Sequence, residues 1–151
     1  MRLAVALATV GGVGRAPVAS GTVGTLVALP LVPAVAALHG RSPVASLAVV
    51  VAVTIIGIWA AGRAEEDLGG HDHSHIVIDE VVGILVAALF LPPTWLAVVL
   101  VFFLFRLFDV VKPFPASFFD GRIEGGLGVV GDDVVAGVYA GIATRLLLAV
   151  L

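Results

Sequence analysis

The stretch VVGILVAALFLPPTWLAVVLVFFLF, residues 81–105, decides the fold. It runs for 25 residues without a formal charge, but Pro92-Pro93 divides it into uncharged pieces of 11 and 12. A helix needs about 20 apolar residues to cross roughly 30 Å of hydrocarbon, so neither piece crosses alone. The diproline removes two backbone donors and stops a helix where it stands. Each piece therefore has to recruit its charged flank. Helices over residues 76–91 and 94–111 would be about 24 and 27 Å long, antiparallel and joined by a diproline hairpin. Asp79 and Glu80 then lie 13 and 12 residues before Pro92, and Arg106 and Asp109 lie 13 and 16 after Pro93. All four are expected at one depth, about 18–24 Å from the turn.

Outward from this hairpin, residues 16–40 and 42–62 form uncharged intervals of 25 and 21 residues. They predict helices over residues 22–38, kinked by Pro30 and Pro33, and over residues 44–63, with a tight turn at His39-Gly40-Arg41-Ser42-Pro43. Residues 134–151 predict a further helix in which Arg145 snorkels to the far interface. Before the first of these stands Met1-Arg2 and a short apolar run with the triplet Ala6-Leu7-Ala8. Only three residues separate Arg2 from the triplet, against about 7–15 in a signal-peptide core, so this part reads as a short membrane-embedded or interfacial segment. The expectation is an all-α, polytopic membrane helical bundle of about five spanning helices, with residues 1–151 as a single domain.

Composition agrees. The set AVILMFWYC makes up 60% of the 151 residues and charged residues 13%, and the mean hydropathy is +1.17. A net charge of −3 leaves no basic footprint for nucleic acid. With no cysteine, a disulfide framework, a thiolate zinc site and a cysteine nucleophile are excluded. Alternation of five spans puts Ser20-Gly21-Thr22, the loop at residues 65–75, the loop at residues 112–131 and Asp132-Asp133 on the same side as Asp79 and Asp109. That side carries Arg2, Arg15, Arg63, Arg106, Lys112 and Arg122, while Arg41 lies opposite. The positive-inside rule makes the charged face cytoplasmic.

Three imidazoles and three carboxylates crowd ten positions from His71-Asp72-His73 through His75 to Asp79-Glu80. This is either a solvated loop before an acidic helix start that complements the macrodipole, or a functional cluster. Arg106, Asp109 and Lys112 recur along one helix ridge. They form either a helix-terminal ion pair with aromatic anchoring, or a cationic pair for a phosphate, with Asp109 orienting Arg106 or binding metal. Residues 125–131 are glycine-rich but follow no strand and lack a GKS/T ending, so a phosphate-binding P-loop is not supported. They read as a flexible turn that delivers Asp132 and Asp133 to a helix N-terminus as cap and first-turn residues. Ser20-Gly21-Thr22 reads as a cap with a small-residue packing surface in preference to a phosphate nest. The hard oxygens of Asp72, Asp79, Glu80, Asp109, Asp132 and Asp133 suit Mg²⁺, with Mn²⁺ second. Basic residues beside such a cluster at headgroup level point to chemistry on a lipid phosphate.

Four segments in order resemble the phosphatidylglycerophosphatase A family of bacterial membrane phosphatases: Ser20-Gly21-Thr22-Val23-Gly24; His71-Asp72-His73 with Asp79-Glu80; Phe105-Arg106-Leu107-Phe108-Asp109 with Lys112-Pro113; and Gly125-Gly126-Leu127-Gly128 with Asp132-Asp133. The resemblance implies Mg²⁺-dependent hydrolysis of phosphatidylglycerophosphate at the bacterial cytoplasmic membrane. On this reading Asp79, Glu80, Asp132 and Asp133 hold one or two Mg²⁺. Arg106 and Lys112, with Ser20 and Thr22, meet the substrate. Asp109 is a ligand or orienter, and His71, Asp72 or His73 moves the proton. The rivals fare worse on residues. A CDP-alcohol phosphotransferase would need acids four apart where Asp132-Asp133 are adjacent, and a cation transporter would hold its acids near mid-membrane.

Overall fold

The structure, a computed structural model, describes residues 3–68 and 73–151, and its regular elements are all helical. In chain order they are α1 (Leu3–Ala8), a 3-10 segment (Val10–Arg15), α2 (Ser20–Ala28), α3 (Leu31–Arg41), α4 (Pro43–Leu68), a 3-10 turn (His73–His75), α5 (Ile78–Ala88), α6 (Trp95–Val111), α7 (Ala116–Arg122) and α8 (Gly126–Val150).

Proline placement sets most of the boundaries. Pro30 interrupts the first predicted helix, so α2 and α3 meet at 44°, while Pro33 falls in the first turn of α3, where no donor is lost. Pro43 opens α4, the position where its fixed φ suits a helix start. Pro92 and Pro93 lie in the connection between α5 and α6, and Thr94 caps α6 by accepting from the Ala97 amide at 3.3 Å.

Among the described residues, α4 and α8 are long and apolar enough to cross a membrane, and α2 with α3 makes a third span if the bent pair counts as one. The expected helices at residues 76–91 and 94–111 come out shorter. α5 has 11 residues and α6 has 17, about 16 and 26 Å. α5 stops at Ala88 because residues 89 and 90 already turn toward the diproline.

α5 is the centre of the bundle. Ten of its 11 residues are buried, the pattern of a helix apolar on every side. α8 packs closely on both α5 and α6. Its start corrects the sequence expectation. α8 begins at Gly126, so Asp132 and Asp133 stand nearly two turns inside a helix and not at its cap. Glycine weakens an isolated helix, but here each glycine allows a close approach. A Cβ at Gly126 would fall on the Ile58 carbonyl of α4, one at Gly131 on the Phe119 ring, and one at Gly137 on the Gly83 carbonyl of α5. Packing against neighbours outweighs the local propensity. On the outside, Ile55 and Trp59 of α4, Phe103 of α6 and Leu146 of α8 are exposed. Such an apolar exterior fits lipid as the surrounding solvent.

Candidate active site

Four helices deliver acids or bases to one spot. Asp79 and Glu80 occupy the first turn of α5, and Glu80 is buried. Arg106 and Asp109, one turn apart near the end of α6, pair at 2.7 Å, and the same guanidinium lies 3.8 Å from Glu80. The start of α5 and the end of α6 therefore share one level, as the count from the diproline requires. Asp132 and Asp133 come from α8 and are 6% and 3% exposed. The Asp133 amide donates to its neighbour Asp132 at 3.0 Å, which fixes that carboxylate's rotamer.

The carboxylates converge in two groups. Ligand oxygens of Asp79, Glu80 and Asp133 lie within 4.8 Å of one another, as do those of Asp109, Asp132 and Asp133. Asp133 belongs to both. Asp79 Oδ1, Glu80 Oε2 and Asp133 Oδ2 are shut off from solvent and accept no hydrogen bond among the described residues. Buried carboxylate oxygens without a donor are costly, and so is the repulsion between like charges at this spacing. An all-oxygen set with free lone pairs fits a hard divalent cation and offers nothing to a soft one.

Lys112 supplies the second fixed cation. It caps α6 in the left-handed region, at φ 48, a conformation usually left to Gly or Asn. From there Nζ donates to Asp120 of α7 and to Asp132, each at 2.6 Å. Burial works against its charge, but those two hydrogen bonds outweigh it and hold the ammonium above the ordinary lysine range. Asp79, Lys112 and Asp132 line an open cleft of about 880 Å³ together with Glu65, Glu66, Asp120 and Glu124.

α2 abuts the same group. A Cβ at Gly21 would collide with the Glu80 carboxylate and come 3.4 Å from the Arg106 guanidinium, so glycine is needed there for backbone to approach charge. Ser20 donates to the Ser74 carbonyl at 2.6 Å and ties α2 to the 3-10 turn. Thr22 is half-buried beside it. The 3-10 turn is anchored from the other side by His75, whose Nδ1 lies 3.1 Å from the Gly14 carbonyl. His71 and Asp72 lie outside the described residues, and of His73 only the backbone is described.

The structure thus brings Asp79, Glu80, Arg106, Asp109, Lys112, Asp132 and Asp133 together, with the Ser20-Gly21-Thr22 corner alongside. Sequence reasoning missed Asp120 as a partner of Lys112, the contact of Gly21 with Glu80, and the sharing of Asp133. For Asp120 a signal existed, since a lone acid eight residues after a lysine across two prolines is well placed to fold back on it.

Comparison with known proteins places the chain in a family. No solved structure matches the chain. An Escherichia coli phosphatidylglycerophosphatase A is 38% identical over 130 residues, covering 85% of this chain and 74% of that protein. A Haemophilus influenzae protein of the same name is 40% identical over 87 residues, covering 57% of this chain and 53% of its own length. A Bacteroides thetaiotaomicron protein, provisionally named a phosphatidylinositol-3-phosphatase, is 39% identical over 146 residues and covers 91% and 89%. The phosphatidylglycerophosphatase A family profile matches residues 6–148, a stretch that contains all the acids and bases of the cleft, and the chain belongs to that family of phosphatases.

Proposed function

We propose that the protein hydrolyses the terminal phosphomonoester of phosphatidylglycerophosphate to phosphatidylglycerol and inorganic phosphate, using Mg²⁺ (or Mn²⁺) held by its carboxylates. The observation that carries this reading is the pair of carboxylate triads sharing Asp133, with three buried oxygens lacking donors, beside Arg106 and Lys112. Asp79, Glu80, Asp132 and Asp133 are the residues that would hold one or two ions, with Asp109, which is grouped with Asp132 and Asp133, able to join them. When bound, such an ion polarises phosphoryl oxygens and lowers the pKa of a coordinated water.

The remaining work falls to the chain's own groups. Arg106, held by Asp109, presents a guanidinium suited to phosphoryl oxygens, and Lys112 contributes a point charge. The buried position of the acids keeps the competing dielectric of water low, which strengthens both contacts. The glycerol oxygen that leaves must be protonated, and one of His71, Asp72 and His73, which stand five to seven residues before α5 in sequence, is the donor we assign. The Ser20 proton is committed to Ser74, so Ser20 supports the substrate side by positioning that turn, and Thr22 is the residue of this corner that we assign to substrate contact.

For placement, we infer a multi-pass protein of the bacterial inner membrane with the cleft on the cytoplasmic face. α5 is too short to cross as a helix alone, and we count it as a crossing only together with its flanking turns and the diproline connection; with α6 this would give about five, with a phospholipid and the bilayer as partners. A specific observation favours a second headgroup. The relative with the widest coverage of those described carries a phosphatidylinositol-3-phosphatase name. The test is phosphate release by purified protein in detergent from each lipid, with EDTA and then with Mg²⁺ restored. Release from phosphatidylglycerophosphate that stops in EDTA and returns with Mg²⁺ is expected. Full activity in chelator would defeat the cation's role, and release from the inositol lipid alone would move the substrate.

A further inference from the structure

The end of α6 and the segment that follows it leave large apolar side chains uncovered beside the site. Val110 and Phe114 are 72% and 76% exposed, and Val111 and Phe118 are exposed as well. Lys112 stands among them with its ammonium turned inward to Asp120 and Asp132. A charge facing the carboxylates and a greasy strip facing out thus come from one short run of chain.

The strip also reaches deeper than the acids. Tyr139 lies seven residues beyond Asp132 on α8, about 10 Å further from the end where the charges gather. Its hydroxyl donates to the Phe114 carbonyl at 2.8 Å, and its ring meets that of Phe108 at 5.6 Å between centroids. A tyrosine on a helix leans back toward the N-terminus and recovers only part of that distance, so Phe114 stands on the hydrocarbon side of Asp132. The chain can dip there because Lys112 ends α6 in the left-handed region and Pro113 and Pro115 prevent helix from resuming at once. It then returns through α7, which buries Ala116 and lays Phe119 over Gly131. The backbone is fixed at both ends, and the apolar side chains point away from it.

We propose that Val110, Val111, Phe114 and Phe118 form an acyl-chain subsite, along which the hydrocarbon of the phospholipid lies while its phosphomonoester reaches Lys112 and the carboxylates. The inference rests on the lipid-phosphatase reading above. Two features fix the occupant as the substrate's own chains. The strip is continuous in sequence with Lys112, and at Phe114 it reaches the side of the acids where acyl chains are found. Not every exposed apolar position has this link. Leu146, also exposed, is 14 residues past Asp132 on α8, about 21 Å along the helix.

The test compares dioleoyl with dihexanoyl phosphatidylglycerophosphate in detergent micelles, for the wild type, for Phe114→Ser with Phe118→Ser, and for Leu146→Ser. The double variant is expected to lose about tenfold in kcat/KM on the dioleoyl lipid, mostly through KM, the effect of about 1.4 kcal/mol of lost binding. It should stay within about twofold of wild type on the dihexanoyl lipid, where there is little chain for the strip to hold. Leu146→Ser should alter neither. Val110→Ser with Val111→Ser serves as an independent second variant, should the first fail to fold, and the same split is expected. Equal losses on both lipids, or no loss on the dioleoyl lipid, would overturn the subsite. Wild-type protein that releases phosphate from neither lipid would instead refute the phosphatase reading, and the subsite with it.

Discussion

Asp133→Asn is the substitution that separates a cation-binding cluster from a merely buried one. Asp133 takes part in both carboxylate groups, and asparagine keeps its shape while removing its charge. At the observed spacing of up to 4.8 Å, two ionised carboxylates repel by about 3 kcal/mol at an effective dielectric near 20, and Asp133 faces several such partners. Without divalent cation, the variant should therefore be more stable than wild type. A shift of a few degrees upward in the unfolding midpoint in detergent with EDTA is expected. With Mg²⁺ the order should reverse, because a ligand that binds only the folded state stabilises it by RT ln(1 + [L]/Kd) and the variant has lost a donor common to both groups. Phosphate release should fall by about a thousandfold, as expected when a metal ligand is lost. The reasoning fails if Asp133→Asn keeps activity within about tenfold of wild type, or if Mg²⁺ raises the unfolding midpoint of both proteins equally.

Further outcomes follow from the same geometry. Gly137→Ala would put a Cβ on the Gly83 carbonyl and force α5 and α8 apart, so activity should drop by at least about tenfold while circular dichroism still reports a helical protein. Gly21→Ala would displace the end of the Glu80 side chain and not backbone, so activity should fall by less than for Gly137→Ala, with normal behaviour if α2 does not border the site. Cysteines at Gly121 and Gly40, where a Cβ meets nothing within 4 Å, should react with impermeant thiol reagents from the cytoplasm and from outside respectively, and reversed labelling would overturn the orientation. Because hydrogen bonds raise the pKa of Lys112, its contribution to stability is fully present below the unfolded lysine value of about 10.4 and is lost only as pH rises past its folded value. Between about pH 7 and 9 the activity profile of wild type should thus show no alkaline fall that Lys112→Met removes.

How far the sequence could be read depended on whether a feature was set along one helix or between two. The common level of Glu80 and Arg106 needed only the diproline and the rise per residue, and the 3.8 Å ion pair matches that count. The gathering of acids was expected from alternation of five spans, and the carboxylates do meet, although among the described residues two or three spans pass by length and composition. The start of α8 was not legible, because seven residues with four glycines, 125–131, look like a loop until the Ile58 carbonyl and the Phe119 ring are known to lie against them. The kink at Pro30 was legible, and the 44° between α2 and α3 follows it, whereas the shortness of α5 was a tertiary outcome. So was the left-handed turn at Lys112, where the pull of Asp120 and Asp132 offsets a backbone cost that no lysine would bear in an isolated peptide.

The glycines that obscured α8 also explain the site's compactness. On α5, Asp79 is followed one turn on by Gly83 and two turns on by Ala87, and on α8, Asp133 is followed in the same way by Gly137 and Gly141. These positions share a face on each helix. They meet in register, since a Cβ at Gly137 would fall on the Gly83 carbonyl, one at Gly141 would lie 2.9 Å from the Ala87 carbonyl, and one at Gly83 would lie 2.7 Å from the Asp133 carbonyl. The two helices therefore run parallel, backbone against backbone, and their acids stand one turn above the tightest contact. In lipid such an approach gains no water-driven burial and is held by close packing, which large side chains at these positions would prevent. Repulsion between Asp79 and Asp133 pushes the helix ends apart, while contact at Gly83 and Gly137 holds them together. The balance leaves an oxygen-lined gap, and on the proposed function a divalent cation bound there would turn the repulsion across it into coordination.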